Sequence, residues 1–119
     1  MTSLHLTSRA LADIDEIYRY SIERWGQRVA DQYLSDLEDA LGRLARDLSL
    51  LKRRHDYPGR LRFHRVREHV LVGDLIGGAG LILSVWHGSM DFVDRLATLE
   101  PELMYEAESM ARQIESKKG

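Results

Sequence analysis

Residues 61–86, LRFHRVREHVLVGDLIGGAGLILSVW, decide the fold of this 119-residue chain. Leu61, Phe63 and Val66 alternate with Arg62, His64 and Arg65, Val70 to Ile76 is a β-branched and apolar run, and Leu81 to Trp86 is apolar again. Alternation and short apolar runs bounded by turn residues mark strands, so the segment predicts a three-stranded antiparallel meander. Tyr57-Pro58-Gly59 breaks the chain before it. The cluster Gly77-Gly78-Ala79-Gly80 reads as a hairpin connection rather than a phosphate loop, because it leads into a strand and carries no lysine.

Upstream the period changes from two to three or four. Leu11, Ile14, Ile17, Tyr18, Ile22 and Trp25 predict an amphipathic helix over about 9–25, with Ser8 as N-cap and Gly26 as a left-handed C-terminal cap. Val29, Tyr33, Leu37, Leu41, Leu44 and Leu48 predict a second helix near 28–51. The short link through Gly26 folds the two into an antiparallel hairpin, with Trp25 expected as a core anchor at its turn. Before them, Leu4 and Leu6 alternate with polar neighbours and predict a short N-terminal strand. Downstream, Leu96, Leu99, Leu103, Met104, Ala107, Met110, Ala111 and Ile114 predict a C-terminal helix at about 96–117, with Pro101 in its first turn. The expected architecture is α+β: an N-terminal strand, an antiparallel helical hairpin packed on an antiparallel β-sheet (β-α-α-β-β-β), and a C-terminal helix. Residues 1–119 make one domain, since this length suits a single core.

Charge is unevenly placed. Residues 52–67 carry seven of the seventeen basic side chains beside one acid, whereas 1–51 hold six basic and nine acidic residues and 68–119 hold four and nine. A positive strip on an acidic body attracts nucleic acid or an acidic protein segment, and charge alone does not choose between them. The chain has no cysteine, which removes disulfides and thiolate chemistry and suits a reducing cytoplasm. No stretch approaches the roughly twenty apolar residues of a membrane span, so a cytoplasmic protein with no membrane partner is expected.

Several separated motifs resemble the ParE branch of the RelE/ParE toxin superfamily. LTSRALADIDEIYRYSIERWG is similar to the family's first helix through Ala10, Asp13, Asp15, Ile17, Tyr18, Trp25 and Gly26. Ala30, Tyr33, Leu34, Leu37, Ala40 and Leu44 match its second helix, GRLRFHRVREHVLV resembles its second and third strands, and SVWHGSMD resembles its closing strand through Val85, His87 and Asp91. The resemblance covers roughly residues 4–94. There are two departures: Gly73-Asp74 stands where the family's third strand commonly has an aromatic and a basic residue, and the last helix is longer than the usual tail. The first predicts a bulge or close packing, the second a helix covering a surface exposed in relatives.

The resemblance implies a toxin of a type II toxin–antitoxin pair that poisons DNA gyrase without enzymatic chemistry, is silenced by a cognate antitoxin, and needs no cofactor. On that reading Arg60, Arg62, His64 and Arg65 form the effector face, joined by Trp86, His87 and Asp91. The antitoxin would lay an amphipathic helix on the hairpin at Tyr18, Ile22, Tyr33, Leu37 and Leu41 and add a strand to the sheet edge. A ribosome-dependent messenger-RNA endonuclease is the alternative, with His87 shuttling protons and Arg62 and Arg65 clamping phosphate. Against it, the reading preferred for His87 is that it closes the last strand beside Asp91 through hydrogen bonds within the sheet. A third reading is a degenerate, non-toxic relative. His55, His64 and His69 lack zinc-ligand spacing, so no metal site is expected. The acids Asp13 and Glu16, and Asp36 and Asp39, read as solvation or salt bridges rather than an acid–base couple. The apolar stripe of the last helix packs on its own domain or on a second copy as a homodimer.

Overall fold

The computed structural model describes residues 3–55, 59–88 and 92–118. The element order follows the expectation: β1 (Ser3–Leu6), α1 (Ser8–Trp25), α2 (Gln27–Arg46), β2 (Arg62–Val66), β3 (His69–Ile76), β4 (Ala79–His87) and α3 (Phe92–Lys118). Strands β2, β3 and β4 form the antiparallel meander, and β1 joins the far side in parallel with β4, so the sheet is mixed, with order β1-β4-β3-β2. The helical hairpin carries the chain across one face of the sheet between β1 and the meander, which sets β1 and β4 in the same direction.

Local chemistry sets the joints. Thr7, not Ser8, caps α1: its hydroxyl oxygen accepts from the Ala10 N–H and donates to the Leu83 carbonyl, tying helix start to sheet. Gly26 closes α1 and opens α2, its N–H donating to Ile22 and its carbonyl accepting from Ala30. Helix α2 stops at Arg46, short of the expected 51, because Asp47 turns extended and caps a 3₁₀ turn over Leu48–Leu50. Gly77 and Gly78, with φ of 58° and 81°, form the two-residue turn between β3 and β4, a backbone that most side chains resist.

The sheet is covered on both faces. Leu71, Ile82 and Val85 pack under the hairpin with Leu37, Ala40 and Leu44, while Phe63, Val72, Leu81, Leu83 and Trp86 pack under α3 with Leu96, Leu103 and Ala107. Burial on both sides is why β3 and β4 read as continuous apolar runs. The stripe of α3 is therefore used within the chain. To reach it, α3 begins at Phe92 and runs through Pro101, which lies inside the helix and not in its first turn. Seating Leu96 and Leu103 on the sheet outweighs the lost backbone bond.

The register slips between Val72 and Gly73, where β4 fits Leu83 in as an extra residue. A one-residue slip exchanges the faces of everything beyond it. Ile82 and Val85, three apart, thus share the hairpin side, and Trp86 turns toward α3.

Candidate functional site

Four elements meet at the end of the sheet where β3 begins and β4 finishes. The turn between β2 and β3 holds Arg67 at φ 52°, a left-handed backbone uncommon outside glycine. Its guanidinium bonds Asp36 at 2.5 Å and lies over the Tyr33 ring at 5.4 Å, and these contacts from α2 hold the turn. His69 follows, hydrogen-bonded through Nδ1 to the Tyr33 hydroxyl and edge-on to His87 with ring centroids 5.3 Å apart. Burial, then the neighbouring His87, hold the His69 pKa below its ordinary value. Burial likewise raises that of Tyr33, so the phenol keeps its proton. Arg65 donates to the Arg67 carbonyl and packs its guanidinium beside Gly88.

From this polar end a groove of about 710 Å³ runs along α1, lined by Ile17, Tyr20, Trp25 and Val29 among others, with Arg95 of α3 on its rim. Tyr20, Trp25 and Val29 are exposed. The expectation of Trp25 as a core anchor is therefore wrong: at 62% exposure it lies at the groove, under the Arg24 guanidinium. The groove floor is closed by Asp13, whose Oδ2 accepts from the Ser84 hydroxyl at 2.6 Å and the Val85 N–H at 3.1 Å. Strand β1 pairs only with Ala79–Ile82, and Asp13 takes the N–H that β4 presents beyond that pairing, so it is a structural acceptor rather than a solvated acid.

The expected effector face does not assemble. Arg62 and His64 turn toward the hairpin side, where Arg62 donates to the Leu51 carbonyl at 3.3 Å and His64 Nδ1 meets the Leu50 carbonyl. Arg60 turns to the α3 side and bonds Asp74 at 2.7 Å, with Glu108 at 3.6 Å. Arg65 packs beside Gly88, next in the chain to His87, away from Arg60, Arg62 and His64. Trp86 is 3% exposed beneath α3 and offers no contact surface; the sheet face it occupies is covered by a helix. Asp91 lies outside the described residues.

The expected antitoxin contacts divide similarly. Leu37 is fully buried between hairpin and sheet and presents no surface, while the half-buried Leu41 packs on the same core; both lie on the inner stripe of α2. Tyr18 and Ile22 are half-buried, with the Tyr18 hydroxyl donating to Asp31 at 2.6 Å across the hairpin. Tyr33 alone reaches the groove. Tyr20, Val29, Arg67 and His69 were missed by sequence reading; only the exchange of apolar residues at Tyr20, Trp25 and Val29 for the polar ones expected on an outer face could have signalled them. Among the described residues no group of three or more histidine or acidic side chains is placed to hold a metal ion, and no helix is long and apolar enough to cross a membrane.

Comparison with known proteins bears on this arrangement. Residues 4–92 match the family model described as the ParE toxin of type II toxin–antitoxin system, parDE. The chain is 33% identical over 98 residues to Toxin ParE of Escherichia coli, covering 82% of this chain and 95% of that protein. Its fold is similar to a chain of the chromosomal ParDE toxin–antitoxin system from P. aeruginosa, with a TM-score of 0.64 at 22% identity over 73% of this chain and 96% of that one. A chain of the RelBE2 toxin–antitoxin complex from Mycobacterium tuberculosis aligns at 20% identity and a TM-score of 0.49, over 75% and 93%.

Proposed function

Given that the chain belongs to the ParE toxin family of type II toxin–antitoxin systems, we propose that it acts in the cytoplasm by binding and poisoning DNA gyrase, and that a cognate antitoxin silences it. The family match spans the hairpin and all four strands, which makes the toxin assignment one of the whole domain. A binding function rather than catalysis is supported by one observation above all: the groups an RNA-cleaving site would need together do not converge, since Arg62 is hydrogen-bonded to the Leu51 carbonyl and neither Arg62 nor Arg65 lines the groove that holds His87. The groove is the contact surface we assign to the antitoxin, because its exposed aromatics suit the apolar face of a helix and its polar end suits the rest of a tail.

One observation favours RNA cleavage as the second reading. His87 sits edge-on to His69, and Arg67 lines the same end of the groove, so an imidazole pair and a cation meet there. Induction of the chain alone in a bacterium separates the two. Growth arrest with trapped gyrase–DNA breaks supports the proposal, and His87→Ala then retains most of the effect. Arrest with cleaved ribosomal messages, lost about a hundredfold or more in His87→Ala, would replace it with the nuclease. Normal growth with abundant folded protein would overturn both in favour of a non-toxic relative.

A further inference from the structure

The basic strip does not form one effector face, yet its charge stays at one edge of the molecule. Residues 43–67, from the last turn of α2 through β2 to the turn after it, hold nine basic side chains and two acidic ones, net +7. The rest of the chain holds eight and seventeen, net −9. The fold sets the described residues of that segment on and beside β2, the terminal strand in the order β1-β4-β3-β2. Lys52 lies outside it, exchanging backbone hydrogen bonds with Phe63 at 2.8 and 3.0 Å. Arg43 of α2 and Arg65 and Arg67 line one cavity of about 260 Å³, together with Val66, Asp36 and Asp39. Arg67 is bonded to Asp36 and lines the groove as well, so cavity and groove adjoin. Arg60 is paired with Asp74, whereas the Leu51 carbonyl orients Arg62 without cancelling its charge.

We propose that this edge binds the phosphodiester backbone of a nucleic acid without reading its sequence, and seats a phosphate among Arg43, Arg65 and Arg67. Eight of the nine cations are arginine, whose planar fork fits phosphate oxygens in pairs. An acidic protein segment is the competing partner, and the apolar groups decide against it. Among the described residues the exposed large apolar side chains are Leu11, Tyr20, Trp25, Val29 and Tyr105, on α1, the start of α2 and α3, and none belongs to this segment. Protein interfaces are anchored by such groups, whereas nucleic-acid interfaces are polar and positive. Guarding the β2 edge against strand pairing would be served by charge of either sign and does not require an excess of one. The acidic remainder is repelled by a polyanion, so the molecule approaches with this edge leading. The proposal does not rest on the gyrase reading, and its failure leaves that reading intact.

The test is fluorescence anisotropy of the full chain with a short labelled DNA duplex as salt is raised from about 50 to about 200 mM, over which affinity should fall at least about tenfold. Arg43→Gln, Lys52→Gln and Arg65→Gln, all at exposed positions, should together weaken low-salt binding at least about tenfold. They should also lower the slope of log affinity against log salt by about two to three. Arg19→Gln, Arg24→Gln and Arg28→Gln make the same change of charge at exposed positions of α1 and the start of α2, and should alter affinity no more than about twofold. An equal loss in that control overturns the proposal, because affinity would then follow net charge and not this edge. Should the first triple variant lose its circular dichroism, the three single variants carry the test, each expected to lower the slope by about one. An RNA duplex in a parallel arm shows which nucleic acid supplies the phosphates, and binding of either with the stated losses supports the proposal. Absence of salt-dependent binding overturns it. So does a preference of more than about tenfold for one duplex sequence, and so does polyglutamate binding as tightly as the duplexes with the same losses, which would assign the edge to an acidic protein segment.

Discussion

At the residue scale, Gly73-Asp74 shows how a departure from the family pattern is accommodated. A methyl at Gly73 would stand 2.5 Å from the Leu81 carbonyl oxygen, a backbone atom in the neighbouring strand, so this position takes no side chain without moving the sheet. Gly73→Ala should cost about 1–3 kcal/mol, read as a lower urea midpoint with unchanged slope. Asp74, 2% exposed, is held by Arg60 and by the Leu75 N–H, and so draws one arginine out of the expected effector face. His69 makes stability depend on pH. Its folded pKa lies below the ordinary value of about 6.5, so as pH falls through that region the unfolded chain takes up the proton first and stability declines. Thermal unfolding from about pH 7.5 to pH 5 should show Tm falling with acid, and His69→Gln should flatten that segment; an identical slope in the variant would assign the effect to other groups. The histidine was visible in the sequence, but its Tyr33 and His87 neighbours come from other elements, so its titration was not.

At the scale of elements, the periods of the sequence located every helix and strand, and the misjudged boundaries have physical causes. Helix α2 ends early because an Asp47 cap competes with continuation, although Leu48 keeps the helical spacing. Helix α3 starts early because the sheet offers Leu96 a place that a helix beginning there could not use. Its interior Pro101 is a standing defect, lacking the N–H of a normal turn. Pro101→Ala should stabilise the chain by about 1–3 kcal/mol and raise Tm by several degrees, measured by calorimetry. No change would mean that the helix is already broken at that point in solution. The faces of strands were less legible than their positions. Alternation assigns Trp86 to the side opposite Val85 correctly, but nothing in the alternation shows that a helix already lies there.

At the scale of the whole molecule, the sheet is a central layer with the hairpin on one face and α3 on the other, and the family model matches the hairpin and sheet up to residue 92. Removing residues after Gly88 should expose the apolar face that α3 covers and produce self-association, seen as a rise in mass by light scattering. A monodisperse, folded truncation would show that α3 contributes little cover. The sequence by itself determined the class of fold, the order of elements and the family, because these rest on local periodicity, turn residues and motifs that a single strand or helix carries. Only the tertiary structure decided which residues form a site. The bulge at Leu83 chose the face of Trp86, the pairing of Arg60 with Asp74 and of Arg62 with Leu51 dismantled the basic strip, and the meeting of α1, α2, β3 and β4 built the groove with Trp25 at its edge. Each of those outcomes depends on contacts between groups distant in the chain, whose distances no local pattern encodes.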